Sequence, residues 1–216
     1  MATRLDPAQV CAVVLAGGRA TRMGGVDKGL QPFRGQSLAA HAVQRLRSQS
    51  AGVPGLIDIN ANRNAERYAA LGLPVWPDLQ ADYAGPLAGF LSAMRHCPPA
   101  HPLVLLVPCD SPLFPLDLLA RLAAPLLAGQ ADIAMAMAEQ AEPDGSRVLR
   151  PQPVFCLLRR NLADSLQAFL ESGGRKIGAW TASQAQHKIA FNGPNDDPRA
   201  FANANTLDEL HQLETP

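Results

Sequence analysis

The sequence predicts an open α/β sheet, mostly parallel, with helices on both faces. Three observations carry this. Val10–Leu15 and Leu103–Val107 are short, continuous apolar runs stopped by glycine or proline; apolar residues recur at helical spacing between the strand-like runs; and glycine, proline and asparagine punctuate the joins. Strands that alternate with helices close through right-handed crossovers that cover both faces of the sheet, so a doubly wound, Rossmann-like α/β fold is expected. With 216 residues, 47% of them hydrophobic, the chain can bury one substantial core, and a single domain over residues 1–216 follows.

Val10–Leu15 is short, partly β-branched and apolar throughout, as a central parallel strand covered on both faces requires. After a glycine-rich loop, Ser37 is placed to cap a helix that buries Leu38, Ala42, Val43 and Leu46 and turns Gln44, Arg45 and Arg47 to water. The βα pattern then repeats, with Leu56–Asn60 as a strand, Asn64–Leu71 as a short helix closed by Gly72, and Leu73–Trp76 as a further strand. Gly85-Pro86 opens a helix with Leu87, Phe90, Leu91 and Met94 inward. Leu103–Val107 is the second strongly apolar strand, and Pro108 ends it with Cys109 and Asp110 just beyond, at the end of the sheet where α/β folds bind ligands.

A leucine-rich helix near 116–127 follows, then strands near 132–138 and 154–158, with 139–152 expected as a polar connection. Leu162, Leu166, Phe169 and Leu170 mark a helix that ends at Gly173-Gly174. Lys188–Phe191 reads as a last strand, and Thr206 with Glu209 forms a capping box for a terminal helix. There is no internal repeat and no low-complexity tract.

Composition narrows the function. Lys and Arg number 19 against 19 Asp and Glu, so there is no broad field for nucleic acid or an anionic membrane, and any anion site must be local. No apolar stretch approaches the roughly 20 residues of a membrane helix, and no signal peptide precedes the first strand. Cys11, Cys97, Cys109 and Cys156 lack C-x-x-C spacing, and two lie in apolar runs; structural thiols in a reducing cytoplasm are expected.

The segment from Leu15 to Gly29, L-A-G-G-R-A-T-R-M-G-G-V-D-K-G, follows the first strand. Its small residues let main-chain amides approach phosphates, and Arg22 and Lys28 add positive charge. It is neither G-x-G-x-x-G nor a P-loop, because Gly29 stands where a P-loop needs Ser or Thr. Glycines alone would more often make a long turn; joined to two cations behind a buried strand they point to phosphate binding. Asp110, within Pro108-Cys109-Asp110-Ser111-Pro112, offers a hard oxygen for Mg²⁺, although an Asp between prolines is in isolation more often a turn residue or helix cap. Asn60-Ala61-Asn62-Arg63 and Asp78 offer groups for a purine edge, since a carboxylate accepts the N1 and N2 hydrogens of guanine.

Leu15–Gly29 resembles the L-A-G-G-x-x-x-R-M-G-G-x-D-K-G signature of the MobA-type molybdenum cofactor guanylyltransferases. Pro108–Pro112 is similar to the P-C-D-[ST]-P segment of that family, Gly85–Gly89 to its G-P-L-A-G motif, and Phe201–Thr206 to its F-x-N-x-N-T segment. The likeness runs from Val10 to about Leu210, is diffuse over 120–150, and departs at Gln152-Pro153, where many relatives carry His-Pro.

The resemblance implies a Mg²⁺-dependent transfer of GMP from GTP to the terminal phosphate of molybdopterin, with release of pyrophosphate, in the cytoplasm. It implies GTP contacts at Leu15, Ala16, Gly17, Gly18, Lys28, Asn60, Asp78, Gly85 and Asp110, with Arg22, Lys28 and Asp110 catalytic and Asp110 on the metal. Residues 10–115 would then form the nucleotide half and 130–210 the pterin half, where Arg175, Lys176, Asn203 and Asn205 are candidate contacts. Transient partners would be the proteins that deliver molybdopterin or receive the product; neither nucleic acid nor a membrane is implied. The rivals are a sister enzyme using CTP with a pterin or an NTP with a sugar phosphate, and a nucleotide-binding protein without catalysis.

Overall fold

Residues 10–15 form β1 (Val10–Leu15), and from Val10 to Val14 its residues are fully buried. A strand can be apolar on both sides only if both faces of its sheet are covered. Val10, Ala12 and Val14 pack into one core with Leu46 and Leu122, and Cys11 and Val13 into another with Phe90 and Leu166. The computed structural model describes residues 4–17, 27–79, 85–142, 144–204 and 206–214.

The chain continues through a small hairpin, β2 (Pro32–Phe33) and β3 (Gln36–Ser37), into α1 (Leu38–Arg47), then β4 (Leu56–Asn60), α2 (Ala65–Ala69), β5 (Val75–Trp76), α3 (Pro86–His96), β6 (Leu103–Pro108) and α4 (Leu118–Leu127). It ends with β7 (Ile133–Ala141), β8 (Arg147–Arg159), α5 (Ala163–Glu171), α6 (Ile177–Thr181), β9 (Gln186–Ala190) and α7 (Leu207–Glu214). The seven-stranded sheet has the order β5-β4-β1-β6-β8-β7-β9. Only β8 runs against its neighbours; the pairs β1/β4, β1/β6, β4/β5 and β7/β9 are parallel. The chain leaves β1 toward β4 and β5, then returns past it to β6, so the order reverses beside β1. That reversal opens a crevice at the carboxyl ends of β1 and β6, where Leu15 stands opposite Pro108.

Local signals are borne out where the caps form. The Ser37 hydroxyl accepts the Ala40 N–H at 3.2 Å, and the box at α7 closes with Glu209 N–H on Thr206 Oγ1 at 3.1 Å and Thr206 N–H on Glu209 Oε2 at 3.0 Å. Other expectations need correction. The polar connection expected over 139–152 is instead largely strand, because β7 and β8 extend as the two arms of a hairpin past the body of the sheet. Arg45 is half-buried and not turned wholly to water: the loop after β6 lies over α1, so its guanidinium donates to the Phe114 carbonyl and sits against that ring.

Cys11 and Cys97, expected as thiols, are joined in a disulfide. Packing α3 on β1 brings the end of the helix over the start of the strand, with the two Cα atoms 6.1 Å apart across 86 residues of chain. Cys109 and Cys156 remain free and buried. Among the described residues, no helix is long and apolar enough to cross a membrane.

Candidate active site

The crevice at the carboxyl ends of β1, β4 and β6 is a cleft of about 930 Å³. Each wall follows from an element already described. Main-chain hydrogen bonds carry the strand ends into it: Ala16 N–H donates to the Asn60 carbonyl at 2.8 Å, and Cys109 N–H to the Leu15 carbonyl at 3.1 Å. Leu15, Ala16 and Gly17 therefore lie between the ends of β4 and β6, and Gly85, Pro86 and Gly89 bring the start of α3 against them.

Charge is concentrated where β6 ends. Lys28, from a single 3₁₀ turn over 28–30, places Nζ 3.3 Å from Asp110 Oδ2. Both side chains are about four-fifths buried, at 23% and 21% exposed, so solvent screens this pair less than a surface ion pair. Asp110 is held from the far end of the chain: its carbonyl accepts the Ala204 N–H at 2.8 Å, and the neighbouring Ser111 hydroxyl, fully buried, donates to Asn203 Oδ1. A carboxylate fixed in this cleft is a fitting ligand for a hard divalent cation, which commonly takes one or two carboxylates and completes its shell with substrate phosphate and water. Among the described residues no group of three or more His, Cys, Asp or Glu side chains converges.

A second polar cluster lies at the end of β4. Asn60, only 2% exposed, donates from Nδ2 to Asp78 Oδ1 at 3.0 Å and to the Trp76 carbonyl at 3.3 Å. Asn62 donates to Asp78 Oδ2 at 2.8 Å and accepts the Asp78 N–H at 2.7 Å. Its amide also reaches the Gly17 carbonyl at 3.4 Å. Asp78 is thus fixed with both oxygens engaged, at the edge of the same cleft.

Cys109 is the one thiol among the lining residues. Burial first, and then the neighbouring charges of Asp110 and Asp27, push it well above the ordinary thiol range. It stays protonated at neutral pH and is no nucleophile. Gln152, Pro153, Val154 and Phe155 of β8 also line the cleft, as does Asn203.

Of the residues expected from the sequence, Leu15, Ala16, Gly17, Lys28, Asn60, Asp78, Gly85, Asp110 and Asn203 are brought together in this cleft. Gly18, Arg22 and Asn205 lie outside the described residues. Arg175 and Lys176 are exposed and do not line the cleft; the Arg175 guanidinium donates to the Leu170 and Gly174 carbonyls at the end of α5. Asn62, read in the same string as Asn60 for a purine edge, also lines the cleft. Gln152 and Pro153 stand out in the sequence only as a departure from the family pattern, and nothing local marks Val154 and Phe155 as a wall.

The profile of the MobA-like NTP transferase domain matches residues 12–188 of this chain. The molybdenum cofactor guanylyltransferase of Albidiferax ferrireducens is 57% identical over 209 residues, covering 96% of this chain and 97% of that protein. Among solved structures, the molybdopterin-guanine dinucleotide biosynthesis protein A of Archaeoglobus fulgidus superposes with a TM-score of 0.72 at 19% identity, covering 95% of this chain and 96% of that one. The 4-diphosphocytidyl-2C-methyl-D-erythritol synthase of Anaerococcus prevotii shares the fold at 9% identity, with a TM-score of 0.71 and 95% and 94% covered.

Proposed function

The chain belongs to the MobA-like NTP transferase family, and from that premise we propose that its cleft transfers GMP from GTP to the terminal phosphate of molybdopterin and releases pyrophosphate. The observation that carries the proposal is the meeting of Lys28 and Asp110 at 3.3 Å beside the glycine-bearing end of β1, with the fixed Asp78 carboxylate in the same cleft. One end of the cleft suits a triphosphate and the other a base.

Nucleotidyl transfer asks the protein chiefly to position charged groups and to neutralise charge as it moves. The Gly17 main chain approaches the phosphates, and Lys28, with Arg22, stabilises the negative charge that builds on departing pyrophosphate. Asp110 would hold Mg²⁺; when bound, that ion offsets charge on the phosphates. Asp78 accepts hydrogens from N1 and N2 of guanine while Asn60 and Asn62 keep its carboxylate from rotating. The acceptor is itself an ionised phosphate, so no general base is needed for its attack on the α-phosphorus.

The nucleotide half of this reading is residues 10–115. The acceptor half, 130–210, rests on Gln152–Phe155 and Asn203, which line the same cleft. Action in the cytoplasm, where GTP is at hand, and transient contact with proteins that deliver or receive the pterin belong to the same proposal.

The test is pyrophosphate release from GTP, with CTP and ATP as controls, molybdopterin as acceptor, and Mg²⁺ present or withheld. The expected result is metal-dependent turnover with GTP alone, reduced about 10³-fold or more in Asp110→Asn at an unchanged melting temperature. Full turnover by a folded Asp110→Asn variant, or equal use of CTP, overturns it.

A further inference from the structure

Asp27 precedes Lys28 and lines the cleft, but its carboxylate makes no cap hydrogen bond to the 3₁₀ turn that follows. Both of its oxygens are taken up by α2 and the residue before it. The Tyr68 hydroxyl donates to Oδ1 at 2.6 Å, and the Asn64 amide donates to Oδ2 at 2.9 Å. We infer that Tyr68 and Asn64 are positioning residues for the transfer, holding Asp27 so that Lys28 is aimed at the phosphates. This rests on Lys28 acting in the cleft as proposed above.

Three independent features converge on it. Tyr68 is fully buried, and burial first, then the neighbouring Cys109 and the bond to Asp27, raise its hydroxyl far above the ordinary phenol range, so it remains a donor. Asn64 adopts a left-handed conformation with φ +52. Asn tolerates that region better than most residues, and there its amide extends to Asp27. The turn is also fitted to Tyr68 by shape: a Cβ on Gly29 would overlap the Tyr68 hydroxyl and come within 3.1 Å of Cys109 Sγ. Asp27, Lys28 and Gly29 are thus gripped as a unit by charge-assisted hydrogen bonds and by close packing. The Asp27 carbonyl, accepting from Gln31 Nε2 at 3.1 Å, holds the turn from its other side.

A lysine on a loosely held turn would bind triphosphate nearly as well but would be displaced when charge moves to the leaving group. The loss therefore belongs in kcat more than in KM. The test is a double-mutant cycle on steady-state pyrophosphate release, with Tyr68→Phe, Lys28→Ala and the pair together. Tyr68→Phe keeps the ring and removes only the hydroxyl.

The expected result is a kcat about tenfold lower for Tyr68→Phe, with KM for GTP within about twofold of wild type, and no further loss when Tyr68→Phe is added to Lys28→Ala. Asn64→Gly, which preserves the left-handed backbone and removes the amide, should lower kcat in the same way and repeats the test if the tyrosine variant folds poorly. A wild-type kcat in both, or the same tenfold loss in the Lys28→Ala background, overturns the inference while leaving the Lys28 assignment intact. Undiminished kcat in Lys28→Ala alone would instead remove the assignment and the inference with it.

Discussion

Asn60 touches the cleft, the edge strand and a helix at once. Its amide nitrogen holds Asp78 and the Trp76 carbonyl, while its Oδ1 faces α3, where a Cβ at Gly89 would stand 2.8 Å away and 3.2 Å from Leu15 Cδ2. Two effects therefore oppose each other in Gly89→Ala. Alanine favours a helix interior by about 1 kcal/mol over glycine, but the new methyl must move a buried amide already committed to two acceptors. The expected net is a melting temperature within a few degrees of wild type and a KM for GTP raised about tenfold, with the preference for GTP over CTP reduced. Nucleotide kinetics beside a thermal melt check both parts. Asn60 and Asp78 were legible from their chemistry as groups for a purine edge, but an Asn leaving a strand more often makes a turn, and it was the family likeness that singled them out. Tyr68 and Asn64 were not legible at all, because their bonds to Asp27 span 41 and 37 residues of chain and leave no periodicity.

The least legible element is β8. Its outer arm carries Arg147, Arg150, Pro151 and Pro153, charge and proline that read as a loop. In the structure the charges pair across the hairpin, Arg147 with Glu139 at 3.4 Å and Arg150 with Glu142 at 2.6 Å, so the polar residues are those of a ribbon wetted on both sides. Pro151 stays in the ladder opposite Met137, and Pro153 sits where the ladder breaks. Met135 faces Cys156 and the next residue, Ala136, faces Gln152, so Pro153, Val154 and Phe155 have no partner on β7. Such bulges re-aim a strand beside active sites, and here the released residues line the cleft, on the side proposed for the acceptor. Gln152, 7% exposed at the edge of the break, should therefore report on acceptor and not on nucleotide. Gln152→Ala is expected to raise KM for molybdopterin about three- to tenfold, with GTP affinity unchanged by calorimetry. A change confined to GTP would place the acceptor elsewhere.

At the scale of the whole molecule, the strands with continuous apolar runs, β1 and β6, were readable because burial on both faces writes itself into composition. The strand and capping box at the two ends of the strap from β9 to α7 were readable too, but the contacts that hold the strap were not, because they are polar and distant. Arg121, on α4, anchors it. Its guanidinium bonds Asp196 at 2.7 Å, donates to the Ala190 carbonyl, and lies 3.7 Å over the Phe191 ring. The same strap ends at Asn203 and Ala204, which hold the Ser111 and Asp110 segment, so acid that releases the anchor is expected to loosen the end of β6 proposed to hold the metal. Desolvation pushes the Asp196 carboxyl up, but the hydrogen bonds from Arg121 and the Gly193 N–H, with the guanidinium charge, outweigh it and hold the carboxyl below the ordinary value. The sign follows from linkage: a depressed carboxyl stabilises the fold above its unfolded value of about 3.9 and loses that contribution as pH falls through the lower, folded value. Asp196→Asn should thus cost about 1.5 kcal/mol at pH 7, the lower end for a hydrogen bond to a charged group. The gap from wild type should narrow progressively as pH falls below about 4, read as urea midpoints at matched m-values. A gap that stays constant across that range would mean that Asp196 contributes by packing and not through its charge.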